Sequence, residues 1–214
     1  MIVGIWSLKG GAGKTTFASS LAISFLLGSR RVLLVDGDSQ RSLTAWQAKR
    51  EEKGRPIPIT QSVVGIREAM RREQCVVALV DCGPRLGGIH AILKEADCIV
   101  SPVVPNFFDL ESLTEQIAAL TLAGAMGRTL AVPNMAEPAR KGVPHADTTA
   151  AIQSMAAKGF RVSSAVVQRR RCYRAGSGHG YGGPEQDVDS LEEMARLVRE
   201  IDLIVAEKHQ TRQS

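Results

Sequence analysis

Two kinds of apolar pattern alternate along the chain. Short continuous runs lie at Ile2 to Trp6, Arg31 to Val35, Val76 to Val80, Cys98 to Val100, Thr129 to Val132 and Arg161 to Val167, with a weaker one at Ile57-Pro58-Ile59. The run Arg31-Val32-Leu33-Leu34-Val35 sits between Gly28-Ser29 and Asp36-Gly37, as a strand buried on both faces should. Between these runs, helical spacing covers Thr15 to Leu27, Ser42 to Lys53, Val64 to Arg72, Leu110 to Ala123 and Thr148 to Lys158. A last helix is expected from about Ser190 to Glu207, where Leu191, Met194, Leu197, Val198, Ile201, Ile204 and Val205 step by three and four. Such alternation predicts an α/β fold, a mostly parallel sheet with helices on both faces. Ligands in such folds bind at the carboxyl ends of the strands.

Size and composition narrow this picture. A chain of 214 residues has room for one α/β domain with a full core, placed here at residues 1–208 with a polar tail over 209–214. Gly176 to Gly183 is the expected flexible loop. The apolar start Met1 to Trp6 is too short for a signal peptide, and Ala18 to Leu27 is about half a membrane span, so a cytoplasmic protein is expected. Cys75, Cys82, Cys98 and Cys172 form no C-x-x-C pair and read as buried free thiols rather than a disulfide framework or zinc site. The net charge of +5 is unevenly spread. From Arg128 to Ala175 nine Lys/Arg face two acids, a balance of +7, which leaves about −2 for the rest and suggests a positive patch.

The chemistry is concentrated at Lys9-Gly10-Gly11-Ala12-Gly13-Lys14-Thr15-Thr16, which follows a strand and opens a helix, the context of a phosphate-binding loop. Its glycines let main-chain N–H groups turn toward phosphates, and the helix N-terminus adds partial positive charge. Lys14 should reach the β- and γ-phosphates of ATP and the Thr15 hydroxyl should ligate Mg²⁺. Leu8 stands where the common loop has a further glycine, and Lys9 sits beside it.

This K-G-G-x-G-K-T-T segment resembles the deviant Walker A motif of the ParA/MinD superfamily of P-loop ATPases, most like the small plasmid-type ParA partition proteins. The resemblance implies that Lys9 reaches the phosphates of a partner subunit in an ATP-bound homodimer, neutralising charge on the γ-phosphoryl as an arginine finger does. Leu33 to Gln40, followed by Ser42-Leu43-Thr44-Ala45-Trp46, is similar to the family's D-x-D-x-Q segment. By that likeness Asp38 orients or activates the attacking water and Asp36 lies near the metal shell. Val76 to Asp81 has the Walker B pattern, in which Asp81 would hold Mg²⁺ through a water. The family usually continues with a small residue and two prolines, whereas Cys82-Gly83-Pro84-Arg85-Leu86-Gly87-Gly88 follows here, a stretch that can still serve as a γ-phosphate sensor. Leu130 to Asn134 resembles the strand whose terminal Asn contacts adenine. The likeness is good over residues 1 to 135 and looser beyond.

Relatives bind nonspecific DNA through basic residues of the C-terminal third. Arg161, Arg169, Arg170, Arg171 and Arg174 are the matching candidates, and several such contacts give salt-sensitive, sequence-independent binding. The other reading is that these arginines answer the acids of the last helix. The final residues, Gln210 to Ser214, lack the apolar positions of a MinD-like membrane anchor. The expectation is therefore an ATP-dependent switch for DNA partition, stimulated by a ParB-like centromere-binding partner. A positioning ATPase for a protein cargo, or a metabolic enzyme of the dethiobiotin-synthetase type, are the alternatives.

Overall fold

The computed structural model describes residues 1–83, 89–139 and 143–211. Among these, seven strands form one parallel sheet: β1 (Ile2–Ile5), β2 (Val32–Asp36), β3 (Ile59–Thr60), β4 (Val77–Asp81), β5 (Cys98–Val103), β6 (Thr129–Pro133) and β7 (Arg161–Val162). Their order is β3-β2-β4-β1-β5-β6-β7, which puts β1 in the middle and the two-residue strands outermost. The helices are α1 (Lys14–Leu27), α2 (Ser42–Glu51), α3 (Ile66–Arg72), α4 (Ile89–Glu95), α5 (Phe107–Leu122), α6 (Ala146–Ala157), α7 (Arg171–Ser177) and α8 (Val188–Thr211).

The continuous apolar runs are strands with a helical layer on each side, as predicted. Val3 and Ile5, Val32 and Leu34, and Val77 and Leu79 face α1, α2, α7 and α8. Ile2, Leu33 and Val35, and Ala78 and Val80 face α3 to α6. Successive side chains in a strand point to opposite faces, so a strand buried on both loses its polar alternation. Gly4 on β1 is closely packed: a Cβ there would lie 3.0 Å from Ile99 Cδ1 on β5 and 3.7 Å from Ile92 Cγ2 on α4. All four cysteines are buried free thiols.

Several boundaries differ from the expectation. The seventh strand stops at Val162 instead of Val167, because Ser163 and Ser164 turn their hydroxyls, and Ser164 its N–H, to the Glu200 carboxylate on α8. Helices α4 and α7 are additional, and α8 runs on to Thr211. Lys208 anchors the end of α8: its ammonium donates to Asp97 Oδ1 and the Ala96 carbonyl, both at 2.9 Å. Burial would raise the Asp97 pKa, but Lys208 and the Ile2 N–H outweigh it and hold the carboxyl below its ordinary value. Among the described residues no helix is long and apolar enough to cross a membrane.

The expected flexible loop is also a packed element. After α7 the chain is strapped onto α2: Trp46 Nε1 donates to the Tyr181 carbonyl at 3.2 Å, and Arg50 donates to the Gly180 carbonyl and the Glu185 carboxylate. Gly180 has φ +71, and a Cβ there would meet Arg50 N at 2.5 Å. Gly180→Ala should therefore cost more than backbone strain alone, on the order of 2 kcal/mol or more in urea denaturation. Gly124→Ala, at φ +60 with open space around it, should cost about 1 kcal/mol. Equal losses for the two would show that the strap is not closely packed.

Candidate nucleotide-binding site

Strand β1 ends under the loop from Ser7 to Gly13, and α1 begins directly after it. Gly11 and Gly13 have φ of +78 and +86, conformations that L side chains rarely adopt. Gly13 is the residue before α1, which has no side-chain cap and no acid in its first turn, so its N–H groups are open to an anion. Ten of the fourteen α1 residues are buried, including Phe17, Leu21 and Phe25, so the core fixes this helix end. Lys14 is 7% exposed, burial lowers its pKa, and its ammonium donates to the Lys9 carbonyl at 2.9 Å. The Lys9 carbonyl thus faces inward, while its ammonium lies 5.8 Å from the centroid of the Phe108 ring on α5.

Two carboxylates end neighbouring strands, Asp36 on β2 in register with Asp81 on β4. Asp81 is fully buried. Its Oδ2 accepts from the Thr15 hydroxyl at 2.6 Å, and its Oδ1 is buried without a partner. Burial, with Asp36 and Asp38 nearby, pushes its pKa up to about 6 despite the Thr15 bond. An orphaned carboxylate oxygen beside a threonine hydroxyl, under a loop open to phosphate, suits a hard oxygen-seeking cation such as Mg²⁺. No three acid, His or Cys side chains converge as metal ligands among the described residues, in keeping with an ion that takes phosphate and water as its other ligands.

Asp36, beside Asp81, is engaged by hydrogen bonds. Its Oδ2 accepts from the Thr44 N–H at 2.8 Å and the Thr44 hydroxyl at 2.6 Å, and its Oδ1 accepts from Asp38 N–H at 3.3 Å. It caps α2 from a distance, in place of the preceding Arg41, which has φ +55 and no side-chain cap. Asp38 stands between the two strand ends, and its Cγ would be 3.1 Å from a Cβ on Gly83. Gly83 opens the stretch read as a γ-phosphate sensor, and the fold adds that Asp38 packs on it. Pro84, Arg85, Leu86, Gly87 and Gly88 lie outside the described residues.

A cavity of about 1320 Å³ opens over the loop, lined by Lys14, Thr15, Asp38, Trp46, Lys49 and Gly83 among others. A second cavity of about 400 Å³ adjoins it at Thr16 and Met135, walled by Asn134, Val167, Tyr173 and Arg174. Asn134 is 4% exposed, and its Nδ2 donates to the Ala12 carbonyl at 2.7 Å. It therefore braces the loop from the end of β6. Met135, with φ +52, turns the chain there.

The arginines are only partly available. Arg161 forms a double contact with Glu207 at 2.6 and 3.1 Å, and Arg170 pairs with Glu193 at 3.0 Å and Asp189 at 2.9 Å. A DNA phosphate would have to displace carboxylates from both. Arg169 sits 3.8 Å from Glu137 and lines the smaller cavity with Arg174, whereas Arg171 is exposed at the start of α7. Of the five arginines expected to form one surface, Arg161 and Arg170 are paired with acids of α8, and Arg169 and Arg174 border the smaller cavity.

A phosphate loop between the central strand and a buried helix, with acids at two adjacent strand ends, defines a P-loop nucleotide-binding protein. Residues 3–203 match the family model described as the CobQ/CobB/MinD/ParA nucleotide binding domain, and the chain belongs to that family. It is 31% identical over 144 residues to the chromosome-partitioning ATPase Soj of Thermus thermophilus, covering 52% of this chain and 58% of Soj. It is 34% identical over 134 residues to maintenance of carboxysome distribution protein A of Gloeobacter kilaueensis, covering 60% and 61%. The matches thus span about three fifths of the length of these curated relatives. The structure of apo McdA from Cyanothece superposes with a TM-score of 0.73 at 19% identity, covering 94% of this chain and 98% of that one.

Two substitutions test this geometry. A carboxyl whose folded pKa is raised contributes its stability at low pH and loses it as pH climbs through that value. Relative to Asp81→Asn, the nucleotide-free wild type should therefore lose stability between about pH 4 and 7, by on the order of 3 kcal/mol. Thermal unfolding of both proteins across that range measures it, and parallel curves would refute the assignment. Gly83→Ala should push Asp38 aside, lowering ATP turnover about tenfold or more while ATP binding stays within about twofold. Calorimetric titration beside a phosphate-release assay separates the two effects.

Proposed function

We propose that this chain is a slow ATPase switch in which ATP closes a homodimer across two phosphate loops. The observation that carries this reading is the division between the two lysines. Lys14 is buried under the loop, whereas Lys9 gives the site only its carbonyl and keeps its ammonium on α5.

In this reading Gly10 to Gly13 and the α1 N-terminus bind the phosphates, Lys14 neutralises the β- and γ-oxygens, and Asn134 braces the loop beside the base. Thr15 and Asp81 would hold Mg²⁺, with Asp36 keeping Asp38 and α2 in place. That ion supplies charge neutralisation at the β- and γ-phosphates. Asp38 orients a water whose oxygen bonds to the γ-phosphorus as the bond to the β-bridging oxygen breaks, giving ADP and phosphate. Lys9 of each copy stabilises the charge developing on the other's γ-phosphoryl.

The output we favour is ATP-dependent binding of nonspecific DNA in support of DNA partition, released on hydrolysis and stimulated by a ParB-like protein. The curated relative Soj is described as a chromosome-partitioning ATPase. A second reading, positioning of a protein cargo, is favoured by the ion pairs that occupy Arg161 and Arg170 and thin the basic surface. The other curated relative is described by carboxysome distribution.

DNA co-sedimentation with ATP, ADP or no nucleotide decides between them. Binding should require ATP, fall with salt, disappear in Lys9→Ala and persist longer in Asp38→Ala. Replacing Arg169 and Arg171 by Ala should lower the slope of log affinity against log salt by about one for each phosphate no longer bound. DNA binding equal in all nucleotide states would remove the switch. ATP-dependent dimers without DNA binding would favour the protein-cargo reading.

A further inference from the structure

One exposed aromatic pair has no part in the core. Phe107 and Phe108 open α5, each 70% exposed, with ring centroids 5.6 Å apart at an interplanar angle of 76°. Large apolar side chains left in water beside a ligand site call for an explanation. The cap sets the backbone that carries both rings: the Asn106 side chain accepts from the Asp109 N–H at 2.9 Å. The Phe108 ring lies under the Lys9 ammonium.

Helix α5 holds the phosphate loop at two points on one stripe. Phe108, Ser112 and Gln116 are four residues apart, so they lie along one side of the helix. Gln116 is 1% exposed, donates to the Ser101 hydroxyl and accepts from the Leu8 N–H at 3.4 Å. Eight residues earlier, Phe108 takes the ammonium of the next loop residue, Lys9. Neither Lys9 nor Phe108 lines the large cavity. The loop is thus gripped at Leu8 while the Lys9 charge is carried outward, away from the Lys14 ammonium that would repel it.

We propose that Phe108 is a positioning residue for Lys9. Its ring holds the Lys9 ammonium off its own phosphate loop and presents it to the nucleotide of a second copy. The assignment rests on the dimer reading above and adds the residue that aims the trans-acting lysine. Phe107 meets the Phe108 ring edge-on, and the cation–π contact of Lys9 is with Phe108.

A cation–π contact at an exposed site is worth about 2- to 5-fold in an equilibrium constant. A two-fold dimer contains the contact twice, so removing it should weaken ATP-dependent dimerisation about 4- to 25-fold. The test compares full-length wild type with Phe108→Leu, Phe108→Tyr and Phe107→Leu. Lysines are reductively methylated with ¹³C, which keeps their charge. The Lys9 signal is assigned by its loss in Lys9→Arg and read by NMR for a ring-current shift. Dimerisation with ATP is measured by analytical ultracentrifugation, and ATP binding by calorimetry at concentrations where the protein is monomeric.

Phe108→Leu should abolish the Lys9 ring shift and weaken the dimer while monomer ATP affinity holds. Phe108→Tyr should restore both, and Phe107→Leu should leave the Lys9 signal shifted. A wild-type dimer matched by Phe108→Leu, or a Lys9 signal indifferent to the ring, overturns the proposal. Absence of an ATP-dependent dimer in wild type overturns the dimer reading itself, and the NMR arm still reports whether Phe108 holds Lys9.

Discussion

One hydrogen bond orders this site: the Thr15 hydroxyl donating to a carboxylate that has no access to water. Asp81 ends a strand in the middle of the sheet, and without Thr15 both of its oxygens would be buried and unpartnered. Such a group costs stability in the nucleotide-free protein and is held there by the packing around it. The cost is offset by the apolar strands on either side, which are among the most completely buried segments of the chain. What they secure is a pair of strand ends, Asp36 and Asp81, at a fixed separation below the loop.

From that pair the remaining geometry follows outward. Asp36 binds the first turn of α2 and the Asp38 N–H, so the acid between the strands and the helix lining the cavity move as one piece. Helix α2 is in turn joined through Trp46 and Arg50 to the segment after α7. On the other side, Asn134 ties the end of β6 to Ala12 in the loop. The site is therefore braced from both flanks of β1, and each brace joins residues more than a hundred positions apart.

What could be read from the sequence had local causes. Strands buried on both faces announce themselves as unbroken apolar runs, and the loop's glycines and lysines are contiguous, so both were legible. The pairing of Arg161 with Glu207 and of Arg170 with Glu193 was open, because charge counts along a chain do not say which acid lies across a surface. The segment from Gly176 to Gly183 looked loose from its glycines. At Gly180 and Gly182 the missing side chains instead allow close approach to α2 and Ile23, which spacing cannot reveal. That Asp36 also holds the first turn of α2 was not legible, because only the fold brings Thr44 to its carboxylate.

The sheet ends on both sides in strands of two residues. An outermost strand normally offers a row of open N–H and C=O groups on which another chain can template itself. Here β3 and β7 offer almost no such row, and the Ser164 amide just beyond β7 is already taken by Glu200. Association of copies by continuing the sheet is thereby closed off. Contacts with another chain fall instead to surfaces made of side chains, loops and helix ends.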